Sequence, residues 1–91
     1  MQDSHLQVLS SDLQKAFLSL KTKNDVFAFL RDLLTADEIA EFSLRLDIAK
    51  RLDQWQLYKD IEKATKASST TVARVAKFLH WPFGWYKKVL R

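Results

Sequence analysis

The chain has no cysteine, one glycine and one proline among its 91 residues. Without cysteine there is no disulfide framework and no thiolate metal or redox site, which fits a cytoplasmic protein. A single glycine excludes the glycine-rich loops that cradle phosphates. With turn residues so scarce, few stretches read as strands bounded by turns. No segment approaches the roughly 20 continuous apolar residues of a membrane span, so no membrane partner is expected. The first residues, MQDSHLQVLSSD, show no basic region followed by an apolar stretch and are not read as a secretion signal. His5 and His80 lie far apart, and no Ser-His-Asp spacing or metal-ligand cluster accompanies them. The adjacent carboxylates Asp37 and Glu38 are explained by the positive end of a helix dipole. The chain is read as a non-enzyme that needs no metal and no cofactor.

What is present is 47% hydrophobic residues, enough to exclude disorder, and helical periodicity along most of the length. The fold expected is all-α, a single domain over 1–91 with about six helices. Leu9, Leu13, Ala16, Phe17 and Leu20 recur at helical spacing after the capping types Ser10, Ser11 and Asp12. Asn24 can cap a second helix, Asp25 to Leu34, whose Val26, Phe27, Phe29, Leu30, Leu33 and Leu34 cover more than half its circumference. A helix this apolar needs cover on two sides, so residues 1–34 are expected to form the interface of a homodimer. Thr35 and Glu38 make a capping box that opens a central, largely buried helix over 35–53.

Residues 57–79 read as a helix-turn-helix. Leu57, Ile61 and Ala64 share one face of a short helix, Lys66, Ala67 and Ser68 form a tight joint, and Ser68 or Ser69 can cap a second helix. That helix carries Val72, Val75, Ala76 and Leu79 on its apolar stripe and Thr70, Ala73, Arg74 and Lys77 opposite. The first turn of such a helix meets base edges or their ordered water, which demands short polar side chains; Ser68, Ser69, Thr70 and Thr71 supply them. Lys59, Lys66, Arg74 and Lys77 are the candidate phosphate contacts, with Lys63 beside them. The plainer reading of the Ser-Ser-Thr-Thr run is an N-cap with solvated neighbours. Charge favours a polyanion: residues 1–50 hold six Lys or Arg against eight Asp or Glu, whereas residues 51–91 hold nine against three.

Two stretches, LLTADEIAEFSLRLDIAKRL (33–52) and YKDIEKATKASSTTVARVAKFL (58–79), resemble the Trp repressor superfamily. Their L-R-L-x-I-A run and A-S-x-x-T-V-x-R-V pattern look most like the short Trp-repressor-related proteins of the YerC/YecD group. The resemblance implies an intertwined homodimer whose recognition helices enter successive major grooves of a palindromic double-stranded DNA operator. It implies a dimeric, sequence-specific transcriptional regulator acting as a repressor.

Tryptophan-sensing members hold the indole between two arginines, and Arg45 and Arg74 stand at the matching positions, with Thr71 matching a third pocket residue. Val75 and Phe78 stand where those members have a glycine and a serine, so they are expected to fill the cavity and disfavour tryptophan. Arg45, Thr71, Arg74, Val75 and Phe78 therefore define a candidate effector pocket. Plainer roles are an acidic partner for Arg45, such as Glu41 or Asp47, a phosphate contact for Arg74 and packing for Phe78.

The HWPFGWY stretch, 80–86, could stack on single-stranded bases, but closing the core or packing on the partner's helices is favoured. Pro82 is expected to begin a last helix over 82–91. Two alternative functions stay open: a repressor dependent on an aromatic amino acid or another small metabolite, and a helical protein-interaction dimer that never touches DNA.

Overall fold

The computed structural model describes residues 3–81 and 84–91, which form seven helices and no strand. The helix start expected at Pro82 and the neighbouring Phe83 lie outside the described residues. The chain divides into two compact units, Met1–Ala36 and Asp37–Arg91.

The first unit holds α1 (Asp3–Leu9), α2 (Ser11–Ser19) and α3 (Lys23–Leu33). Phe17 and Phe29 meet edge to face with ring centroids 5.4 Å apart, the arrangement that aromatic quadrupoles favour. No side chain of the three helices is buried. Leu18 is 85% and Phe27 56% exposed.

The cap of α3 is Thr22, not the expected Asn24. The Thr22 hydroxyl accepts from the Asp25 N–H at 3.0 Å, and the Asp25 carboxylate accepts in return from the Thr22 N–H at 3.2 Å. This reciprocal box satisfies two of the backbone donors that a helix start leaves orphaned, and starting two residues earlier gains it.

The second unit holds α4 (Ala36–Asp53, counted from Asp37), α5 (Tyr58–Thr65), α6 (Ser69–Leu79) and α7 (Tyr86–Leu90). Its core consists of Ile48, Ala49 and Leu52 from α4, Ile61 from α5, and Val72, Val75, Ala76 and Leu79 from α6, with Leu44, Ala67, Tyr86 and Leu90 packed around them. The expectation of a largely buried α4 holds only for its last half; Phe42 is 47% and Leu46 41% exposed. Of the face expected on α5 only Ile61 is buried, because Leu57 precedes the helix in extended backbone and Ala64 faces solvent. Trp81 and Trp85 do not close the core, being 50% and 66% exposed.

Two joints end in left-handed residues. α4 stops in a Schellman turn: Trp55, φ 65°, donates to the Leu52 carbonyl at 3.0 Å and Gln56 donates to the Arg51 carbonyl at 3.1 Å. α5 stops at Lys66, φ 61°. An ion pair of 2.9 Å ties Arg91 to Asp53. Gly84 sits where a Cβ would come within 2.6 Å of the Phe78 carbonyl oxygen, so no larger residue fits without a shift of backbone.

Hydrogen bonds from the Lys21 backbone N–H, from the Thr22 hydroxyl and from the Thr22 backbone N–H hold the Asp25 carboxyl below the ordinary aspartate range. A lowered folded-state value stabilises the fold above the unfolded value, near pH ~4, and that contribution is lost as the pH falls through the folded value. Asp25→Asn should therefore lower the melting temperature at neutral pH. The gap to wild type should close on acidification below about pH 4, and a gap that stays constant in thermal melts across that range contradicts the box.

Candidate nucleic-acid interface

Three residues separate α5 from α6, and local chemistry fixes each of them. The Thr65 hydroxyl donates to the Ile61 carbonyl at 2.6 Å and accepts from the Ala67 N–H at 3.3 Å. Lys66 takes the left-handed cap conformation while its N–H bonds the Glu62 carbonyl at 2.8 Å. Ser68, in extended backbone, accepts from the Thr71 N–H at 3.1 Å, and its hydroxyl lies 2.9 Å from that of Thr71. Ser68 is thus the cap of α6, and Ser69 is its first helical residue.

Below the joint, Ile61 and Val72 are fully buried, and Val75, Ala76 and Leu79 continue the stripe. The opposite side of α6 presents Ser69, Thr70, Ala73, Arg74 and Lys77, all exposed, with Thr71 half-buried at the edge. Lys59, Lys63 and Lys66 are exposed on α5 and the joint. Among the described residues none of Lys59, Lys63, Lys66, Arg74 and Lys77 forms an ion pair, whereas Arg45, Arg51 and Arg91 each do. The cations of this surface are therefore free to meet an external anion.

Beside this surface lies an open cavity of about 550 Å³. It brings together all five residues of the expected effector pocket, Arg45, Thr71, Arg74, Val75 and Phe78. Arg45 is held by Glu41 at 3.4 Å and lies over the Phe42 ring at 5.6 Å. Val75 and Phe78 do not fill the space as expected: Val75 is 3% exposed and packs into the core, while Phe78 stands 45% exposed at the wall. Glu41, Trp85 and Tyr86 also line the cavity. Sequence periodicity did not single out Trp85 or Tyr86, because the turn before α7 brings them there rather than a shared helix face.

The sequence model of the Trp repressor protein family matches residues 6–91. The chain belongs to the Trp repressor family. Among relatives of the family, the Bacillus subtilis protein named "Uncharacterized protein YerC" is 35% identical over 78 residues, 86% of this chain and 75% of that one. The crystal structure of a TrpR-like protein from Eubacterium eligens superimposes with a TM-score of 0.79 at 36% identity, covering 87% of this chain and 81% of that one. The all-helical Trp-repressor-like fold follows from both. No helix among the described residues is long and apolar enough to cross a membrane.

Ser68→Ala removes the hydroxyl that caps α6 and leaves the Thr71 N–H to water. The loss should be about 1 kcal/mol, read as a fall of roughly 4–8 °C in melting temperature; an unchanged melt shows that the cap does not hold the joint.

Proposed function

We propose that the chain is a DNA-binding transcriptional regulator that works as a homodimer, with α5 and α6 as its helix-turn-helix. The observation that carries the reading is the pairing of a rigid, capped joint with a set of unpaired cations on the side away from the core. Ser69 and Thr70 stand in the first turn of α6 and face base edges or their bound water. Thr71 and Ser68 are engaged in the cap and position that turn. Lys59, Lys66, Arg74 and Lys77 hold the phosphate backbone. Repression is the mode that the family's description supports.

A partner copy is supported by the first unit. Three helices without one buried side chain gain little stability alone, because burial of apolar area is the main term that offsets chain entropy. A second chain related by a two-fold axis covers such faces and sets two recognition helices about one DNA turn, ~34 Å, apart. A palindromic operator follows from that symmetry.

The cavity favours a second reading, in which a small metabolite modulates the regulator. Two guanidinium groups, Arg45 and Arg74, flank a space walled by Phe78 and Trp85, suited to a planar or aromatic group with a carboxylate. Because Val75 and Phe78 leave the cavity open, tryptophan belongs among the compounds to be tried. A thermal-shift panel of aromatic amino acids and related acids tests this: a compound that raises the melting temperature of wild type but not of Arg45→Ala supports it, and no shift with any compound contradicts it.

Lys59→Ala and Lys77→Ala should each weaken duplex binding and reduce the slope of log affinity against log salt by about one. Lys66→Gly should do the same without loss of fold, since glycine suits the left-handed cap. Fluorescence anisotropy across a salt series measures all three. Slopes equal to wild type in every variant contradict the assignment of these lysines to phosphates.

A further inference from the structure

Among the described residues only Trp55 and Lys66 combine a side chain with positive φ. At Lys66 the conformation closes the helix-turn-helix. At Trp55 it closes the Schellman turn that ends α4, a position where glycine or asparagine is accommodated with less strain. The indole is 87% exposed, so packing within the chain does not compensate that strain. The apolar contact that usually accompanies the turn is replaced by a polar one, Arg51 Nη1 donating to Gln56 Oε1 at 3.4 Å. The turn itself therefore has no use for an indole.

The next four residues continue an exposed strip: Gln56 is exposed, Leu57 is 61% and Tyr58 48% exposed, and exposed Lys59 follows. In a helix-turn-helix the first helix crosses the DNA backbone, so the turn that leads into α5 stands beside the phosphate chain flanking the groove. The charge around it is complementary to that occupant. Lys50 and Lys59 are exposed and form no ion pair among the described residues; of the neighbouring acids, Asp53 is neutralised by Arg91, while Asp60 beside Lys59 is exposed, so the two lysines outweigh it.

We infer that Trp55 packs its indole against the sugar-phosphate backbone of duplex DNA, extending contact beyond the recognition helix to the flank of the site. The contact rests on the DNA-binding function proposed above. The flat indole covers the apolar face of a deoxyribose, and its N–H, a donor only, bonds a phosphate oxygen. Preset backbone lowers the entropy lost when the side chain is immobilised.

The test uses the full chain and the duplex it enriches most from randomised sequence. Trp55→Gly and Trp55→Asn both suit left-handed backbone, so each keeps the fold and melts within a few degrees of wild type or above it. Each should bind the duplex about tenfold more weakly. The salt slope should stay at the wild-type value, since no charge is lost. Trp55→Phe, which keeps a flat apolar ring, should remain within about threefold of wild type. Wild-type affinity in both the Gly and Asn variants overturns this contact alone, leaving the lysine contacts standing. A wild-type chain that binds no duplex overturns the proposed function and this contact with it.

Discussion

The packing of Ile61 against Val72, Val75, Ala76 and Leu79, over the Ile48, Ala49 and Leu52 end of α4, is the contact on which the rest depends. It is a small core, eight buried residues among those described, all of them aliphatic. Because Ile61 is the only buried residue of α5, the angle between α5 and α6 is set by one side chain and by a three-residue joint. The joint leaves little freedom: Thr65, Lys66 and Ser68 each satisfy backbone groups that the two helix ends would otherwise leave open. Rigidity below permits display above, and what is displayed is short hydroxyls and unpaired cations.

Much of this was legible in the sequence. The i, i+3, i+4, i+7 stripe of Val72, Val75, Ala76 and Leu79 is buried as the pattern predicts, the joint falls at 66–68, and the cap is Ser68, one of the two serines that the residue types left open. The cap at Thr22 rather than Asn24 was missed because both are good capping residues, and only the reciprocal bond with Asp25 decides between them. Periodicity also overstated burial. The Phe42 and Leu46 stripe of α4 and the apolar side of α3 are amphipathic in sequence yet exposed in the single chain. A stripe reports that a face must be covered, not which chain covers it.

The candidate site shows a similar limit. The family resemblance places Arg45, Thr71, Arg74, Val75 and Phe78 around one cavity, but side-chain volume alone misjudged whether the cavity stays open. Val75 points largely into the core, and Phe78 stands at the wall, so two larger residues do not add their volumes at one point. The left-handed residues carried no compositional mark at all. Lysine and tryptophan at positions that suit glycine are visible only in the backbone angles. Lys66 lies within the helix-turn-helix joint and Trp55 just ahead of α5; both backbones close turns, but the exposed indole of Trp55 serves no packing in the chain, which makes it a pointer to function.

The central claim is that a two-fold dimer reads DNA through α6. Selection of duplexes from randomised DNA by the intact chain, with the mass of the selected complex measured, tests it most directly. The account predicts an enriched inverted repeat, its half-site centres about 10 base pairs apart, bound by two chains. No enriched sequence, with residual affinity that disappears as salt rises, contradicts it and leaves the basic half of the chain a non-specific electrostatic surface.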